Sequence, residues 1–314
     1  MFEVLMCLFN PLKGVIWMSE KETGHKGNSA LITREYFDSL QVELRTIDAV
    51  EASTKMELFG ETFSTPVMIA ALSGLDKIRP NGMVDTARGA AAAGAVMWTG
   101  IGSGSELEAL IATGAKTVKI IKPYKDIDLI FKKIEHAEKC HALALGMDTD
   151  YVFGGKRTKG FAMECPVSPK TLAEIKSFVK ATKLPFILKG ILSERDAEKA
   201  LEAGAGGIVV SHHGGVIDYA VPPLKILPRI AKVIDKKIPI FVDCGIVRGM
   251  DAFKALALGA TAVSVGKAVM EGLSENGADG VQKILEEINE ELRWAMNLTG
   301  SPDIKQIDSS VIWH

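Results

Sequence analysis

Eight short apolar runs recur along this chain with room for a helix between neighbours, and none of them alternates with polar residues. They are Val67–Ala70, Ala95–Trp98, Val118–Ile121, Ala142–Leu145, Phe186–Leu188, Ile208–Val210, Ile240–Val242 and Ala262–Val265. A strand with one wet face alternates; a continuous apolar run suits a strand covered on both faces, as in a parallel sheet under helices. Helical patterns fill the gaps, among them Glu106–Ala112, Ile127–Cys140, Pro169–Ala181, Glu194–Ala203 and Met250–Leu258. Ser193 with Asp196 three residues on, and Ser168 ahead of Pro169, supply suitable starts.

The pairs Gly94-Ala95, Gly114-Ala115, Gly204-Ala205 and Gly259-Ala260 fall at one point of the unit, where a left-handed residue stops a helix just before the next strand. Repeated βα units account for this recurrence. The sequence therefore predicts an α/β protein with a single (β/α)8 TIM barrel. Residues 1–63 read as an N-terminal helical extension, and residues 64–314 as the barrel with closing C-terminal helices from about Leu273 onward. The apolar opening Met1–Phe9 lacks a basic leader and a cleavage site and is interrupted at Pro11, so it reads as a helix on the barrel flank rather than a signal peptide.

Composition excludes some roles. A formal net charge of −2 offers no basic field, which sets aside non-specific nucleic-acid or membrane-surface binding as the main task. Cys7, Cys140, Cys165 and Cys244 show neither CxxC spacing nor a disulfide framework, in keeping with a reducing, cytoplasmic setting. The adjacent His212 and His213 have no metal-ligand spacing, and no metal is expected. There is no nucleophile elbow and no P-loop.

Four pieces at the ends of successive runs carry the chemistry: Lys189-Gly190, Ser211-His212-His213-Gly214-Gly215, Asp243-Cys244-Gly245 and Gly266-Lys267. In a parallel barrel all C-terminal strand ends open on one mouth, so these side chains are brought to a single cavity. The last two loops, Gly245-Ile246-Val247-Arg248-Gly249 and Gly266-Lys267, stand where many barrels cradle a phosphate with backbone N–H groups. The fourth connection is long, and its Tyr151–Gly160 segment is glycine-rich and basic, as a lid or substrate-binding element would be.

These residues resemble the FMN-dependent α-hydroxy-acid oxidases and dehydrogenases, such as glycolate and lactate oxidase. The likeness is closest in Ile187–Ile191, Ile208–Gly215 and Val242–Gly249, through Lys254–Ala260 to Gly266-Lys267, and reaches more faintly back through Pro66–Leu72 and Met147-Asp148. The resemblance implies an FMN cofactor, a small-molecule substrate and a homo-oligomer. By it, Lys189 lies beside the flavin N1/O2 edge, His213 is the base that takes a substrate proton as two electrons pass to flavin N5, and Asp148 orients and charges that histidine. It further implies a backbone stretch Ala70-Ala71-Leu72 along the ring, a ring-bonding hydroxyl at Thr99 and a ribityl contact at Asp243. Ser211, Gly214, Gly245, Val247, Arg248, Gly266 and Lys267 complete the expected cofactor contacts.

The departures bear on substrate. Val216 stands where the family has the arginine that clamps a substrate carboxylate, and valine cannot replace that planar fork. His212 replaces an asparagine, Val247 and Lys267 replace phosphate arginines, Gly146 replaces a threonine, and Cys244 replaces a glycine. The family's glutamine and substrate tyrosine are not evident around Lys119–Tyr124. Flavin positions are thus kept better than substrate positions, which implies either a substrate that is not a simple 2-hydroxy acid bound in the usual way or a relocated clamp, with Lys156 or Arg157 supplying it and His212 a second polar contact. Two other readings stay open. One is a flavin-dependent isomerase or NAD(P)H-linked reductase on the same barrel, resembling type 2 isopentenyl diphosphate isomerases. The other is a flavin-binding module without turnover.

Overall fold

Helix and strand alternate from Val67 to the end of the chain because the apolar runs and the helix stops alternate. The structure, a computed structural model, describes residues 27–153 and 165–313. In chain order the elements are helix α1 (Ser29–Ser39), strand β1 (Gln41–Val42), a hairpin of β2 (Met56–Leu58) and β3 (Glu61–Phe63), then β4 (Val67–Ile69), α2 (Gly82–Ala92), β5 (Met97–Thr99), α3 (Gly104–Ala112), β6 (Thr117–Ile121), α4 (Ile127–Lys139), β7 (Ala144–Asp148) and α5 (Leu172–Lys180). They continue with β8 (Phe186–Ile191), α6 (Glu194–Ala203), β9 (Gly207–Val210), α7 (Pro223–Ile234), β10 (Ile240–Val242), α8 (Gly249–Ala257), β11 (Ala262–Val265), α9 (Lys267–Leu298) and β12 (Ile312–Trp313). Strands β4 to β11 form one parallel sheet. Ile69 N–H donates to Val96 O at 3.0 Å and Leu72 bridges Thr99, which closes β4 on β5 into a barrel.

The continuous apolar runs are explained by two cores. Met68, Trp98, Val118, Ile120, Ile187, Val209 and Phe241 fill the barrel, with Trp98 edge-on to Phe241 at 5.1 Å. Alternate residues of the same strands, such as Val67, Ile69, Val263 and Val265, pack outward under the helices. The region expected to be a helical extension is only partly helical where it is described. After α1, capped by the Asn28 side chain, the hairpin β2–β3 sends Met56, Leu58 and Phe63 into the interior core at the end where the strands begin. Strand β1 pairs with β12. Met1–Phe9 lies outside the described residues.

Three expected boundaries shift, each for a hydrogen-bonding reason. Gly94 has φ +63°, and the Ala95 N–H turns back to Ala90 O, so it cannot serve the ladder and β5 begins at Met97. Ala205 and Ala260 make the same backward bond after Gly204 and Gly259. The unit before β7 uses His141, at φ +57°, in place of glycine, and Ala142 N–H bonds Ala137 O. That strand therefore starts at Ala144 rather than Ala142 and carries Asp148 at its last position. Helix α5 starts at Leu172 and not at Pro169, because Thr171 and Glu174 form a reciprocal capping box while Ser168 Oγ accepts from Lys170 instead.

Helix α2 meets the long α9 with almost no space between backbones. A Cβ on Gly89 would lie 2.5 Å from Ala278 O and 2.6 Å from Val281 Cβ. Gly89→Ala is expected to destabilise the fold by about 1–3 kcal/mol, the range for overpacking a tight contact. Chemical denaturation reads this directly, and an unchanged midpoint would show that the two helices can separate at no cost.

Candidate active site

The mouth of the barrel is built by the strand ends and covered at one edge by α1. Arg34 of α1 forms a forked pair with the buried Asp251 of α8 at 2.9 and 3.1 Å and also donates to Gly245 O. Lys254 reaches Phe37 O, Ser29 Oγ donates to Ile217 O, and Thr33 Oγ1 lies 2.8 Å from His212 Nε2. One helix thereby fixes the loops after β9 and β10.

Below it is a cavity of about 550 Å³. Eleven expected cofactor positions line it: Ala70, Ala71, Leu72, Lys189, His213, Gly214, Asp243, Gly245, Val247, Gly266 and Lys267. Three expected positions are not at its wall. Thr99 sits at the end of β5 with a buried hydroxyl. Ser211 Oγ accepts from His213 N–H at 3.0 Å, so its work is on the loop backbone. Arg248 turns outward to pair with Glu291 of α9, its side chain 63% exposed. His212, expected to touch substrate, is buried against Thr33 instead. Lys156 and Arg157 lie outside the described residues.

In the anticipated two-loop phosphate cradle, two donors of the first loop are already engaged within the protein. Around the start of α8, Val247 N–H is taken by Asp251 at 3.1 Å and Gly249 N–H by Glu291 at 2.7 Å. The N-terminus of α9 has Gly266 as its cap, with no side-chain bond to its N–H groups, and Lys267 as its first residue. With no hydrogen bond to those donors among the described residues, they, the helix dipole and the ammonium make the anion end of the cavity.

At the other end, charge is concentrated in low dielectric. Lys189 Nζ lies 3.2 Å from Asp148 Oδ1, 3.5 Å from Asp243 Oδ2 and 3.5 Å from His213 Nδ1. Burial alone would lower the Lys189 ammonium; Asp148, Asp243 and Asp150 outweigh it and hold it well above its usual value. Burial works against the Asp148 and Asp243 carboxylates too, and Lys122 and Lys189 for the first, Lys189 for the second, keep them below the ordinary range. Burial pushes the Cys244 thiol up, and its Sγ accepts from Gly214 N–H, so it is a packed loop residue rather than a nucleophile.

Residues 213 to 215 all have left-handed backbone, at φ +52°, +68° and +96°. Two glycines carry that turn cheaply; His213 bears the strain that turns its ring into the cavity. Its Nδ1 faces Asp150 Oδ1 at 3.0 Å and Asp148 Oδ1 at 3.6 Å, and Tyr151 stacks on the ring at 5.3 Å. Sequence reasoning placed Tyr151 only within the long fourth connection and missed Asp150, Arg34 and Lys122, whose Nζ is 2.6 Å from Asp148 Oδ2. The only available signal was two carboxylates two residues apart at the end of β7, which share one side of an extended segment.

Lys119 on β6 is a further buried cation, donating to Gly100 O, and burial lowers it to about 8. Its folded value is below the ordinary 10.5, so its cost to stability is present below pH 8 and relieved as pH rises toward 10.5. Lys119→Met is expected to be more stable than the parent at pH 7 by about 1–2 kcal/mol, after allowing for the lost bond to Gly100. The gain should vanish by pH 10.5 in denaturation curves; a pH-independent difference would contradict it.

A parallel (β/α)8 barrel with an anion-binding helix start at one end of its cavity, and a buried lysine, histidine and carboxylates at the other, has the outline of a barrel enzyme that binds a phosphorylated ligand. The family model for FMN-dependent dehydrogenase matches residues 17–174 and 168–314, and the chain belongs to that family, the FMN-dependent 2-hydroxy-acid oxidases and dehydrogenases. It is 33% identical over 300 residues to a 2-hydroxyacid oxidase of Dictyostelium discoideum, covering 85% of this chain and 77% of that one. It is 29% identical to an L-lactate oxidase of Lactobacillus jensenii, over 92% of this chain and 78% of that protein. Mandelate oxidase with (S)-2-phenylpropionate superposes with a TM-score of 0.84 at 32% identity, over 91% of this chain and 89% of the other. The relatives are oxidases, which favours the oxidase reading over the isomerase, reductase and non-catalytic ones. FMN is the cofactor, and the cavity fits it: apolar walls from Ala70, Ala71, Leu72 and Met270 suit a flat ring, Lys189 stands at one end, and the N–H donors at the start of α9 stand at the other. No helix among the described residues is long and apolar enough to cross a membrane.

Proposed function

We propose that this enzyme oxidises a small 2-hydroxy acid or related alcohol through a substrate clamp unlike the family's usual one, with His213 as base and Lys189 as the cation beside the flavin. The observation that carries the reading is the setting of the imidazole. Nδ1 is turned to carboxylates and the ring stands at the cavity wall, an arrangement in which a proton held on Nδ1 would leave Nε2 to act as the base. When bound, FMN supplies the two-electron acceptor. His213 takes the substrate proton, and Asp148 and Asp150 stabilise the imidazolium that results. Lys189 would keep positive charge beside the flavin and offset the negative charge that reduction brings. Ala70, Ala71, Leu72, Gly214, Asp243, Gly245, Val247, Gly266 and Lys267 hold the rest of the cofactor.

Val216 is 41% exposed at the rim, beside the still more exposed Ile217, and offers no hydrogen bond to a carboxylate. Lys156 or Arg157 is the proposed replacement. The proposal extends to a cytoplasmic homo-oligomer in which residues 1–63 act as an extension of the FMN barrel at 64–314. Anaerobic mixing with glycolate, lactate, mandelate, NADH and NADPH, following the bleaching of the flavin, tests it. Bleaching by some hydroxy acid or alcohol, with glycolate and lactate slow, is expected. Ordinary enzymic rates on those two, about 1–10³ s⁻¹, would refute the altered clamp; bleaching by a nicotinamide alone would refute the whole reading.

A further inference from the structure

We propose that Asp150, not Asp148, is the carboxylate that positions His213 in this protein, because Lys122 has taken Asp148. The proposal rests on His213 being the base, and its test reads the pairing separately from turnover.

The distances divide the two carboxylates. Asp148 Oδ2 is 2.6 Å from Lys122 Nζ and its Oδ1 is 3.2 Å from Lys189 Nζ, which leaves the imidazole at 3.6 Å, outside hydrogen-bond range. Asp150 Oδ1 is 3.0 Å from His213 Nδ1, and its buried Oδ2 makes no hydrogen bond among the described residues. The imidazole is thus the hydrogen-bond partner of Asp150, whereas Asp148 bonds Lys122 through Oδ2 and keeps Oδ1 at ion-pair distance from Lys189, with no hydrogen bond to that oxygen among the described residues.

The backbone is shaped to seat Asp150. Thr149 donates to Lys189 O through both N–H and Oγ1, at 2.7 and 2.9 Å, and this pins the segment to β8. The ladder of β8 is irregular between Lys189 and Ile191, and Gly190 there has φ +97°. A Cβ at that position would lie 2.4 Å from Asp150 Cγ, so the carboxylate occupies space that only glycine leaves. Tyr151 covers the face of the imidazole, and Lys122 sits 4.4 Å from the Tyr151 ring centre. Asp148 ends β7 and Asp150 and Tyr151 follow it, Lys122 follows β6, and Lys189 is on β8; together they grip the ring by edge and face.

Charge counting agrees. The charged groups around His213 are Lys122, Lys189, Asp148, Asp150 and Asp243, while Tyr151 and Cys244 are neutral and His212 is turned to Thr33. The sum is −1 with a neutral imidazole and zero with an imidazolium. Removing Asp150 makes proton uptake create an unbalanced buried charge. Asp150 is therefore a positioning residue acting through His213.

The test uses the FMN-loaded enzyme labelled with ¹⁵N-histidine. A downfield Nδ1 proton resonance, assigned by its absence in His213→Asn, is expected in the parent and in Asp150→Glu, and is expected to be lost in Asp150→Asn. Gly190→Ala, which alters no charge but drives a methyl into Asp150, should also lose it. In the substrate-driven reaction Asp150→Asn should lower kcat by about 10–100-fold with KM within threefold, and Asp150→Glu should recover part of the loss. Retention of the resonance and rate in Asp150→Asn, with loss of both in Asp148→Asn, would overturn the proposal. If the parent is reduced by no hydroxy acid, the base assignment fails, and the resonance still decides which carboxylate holds the ring.

Discussion

His213→Asn is expected to slow substrate-driven flavin bleaching by about 10²–10⁴-fold, the usual worth of a positioned general base. Asparagine is chosen because position 213 has φ +52°, and asparagine tolerates left-handed backbone better than most residues. The loop that carries Gly214 and Gly215 is then kept, and FMN affinity should change little. Rapid mixing without oxygen separates the two effects, since flavin absorbance reports occupancy before substrate is added. A loss smaller than tenfold would place the base elsewhere.

Lys189→Met is expected to be the most damaging single change to stability and to cofactor retention together. The ammonium lies between Asp148 and Asp243, itself only 6% exposed, and methionine fills its volume without its charge. Removing one partner of a buried ion pair costs about 3–5 kcal/mol, because the opposite charge remains buried. Here two carboxylates are left facing each other, with Lys122 the remaining cation on Asp148.

The sign of the pH dependence follows from the two shifts. Asp148 is held below its ordinary 3.8, so its share of stability is present above that value and is lost as pH falls through the lower folded one. Lys189 is held above 10.5, so its share is present below 10.5 and is lost as pH rises through the higher folded value. The difference between parent and Lys189→Met should therefore be greatest between about pH 4 and pH 10 and should narrow on both sides. Denaturation midpoints across that range test it; a gap that widens in acid would contradict the ion-pair account.

Much of the scaffold was legible because a βα unit repeats its own local chemistry. The eight barrel strands were found from predominantly apolar runs, and Glu194–Ala203 was placed to the residue by Ser193 and the Gly204 stop. The displaced starts of β5 and β7 show the limit of that reading. An apolar run does not reveal that its first N–H is spent on closing the previous helix, and His141 doing a glycine's work carries no compositional signal. Likewise the hairpin β2–β3 was not foreseen, since its residues gain their buried positions only by packing into the barrel end.

The site divides in the same manner. The sequence by itself determined that Lys189, His213, Asp243 and Gly266 would share a mouth, because the parallel strands of a barrel deliver their C-terminal ends to one side whatever the side chains are. It also determined that the usual arginine is absent at Val216. Only the tertiary structure decided which group each polar residue faces. Arg248 turned to Glu291, His212 to Thr33, Asp148 to Lys122, and Asp150 to the imidazole. Those choices are made among polar groups brought together from α1, the ends of β6 to β10 and α9, and a buried charge pairs with whatever opposite group is nearest in space, for which distance along the chain is no guide.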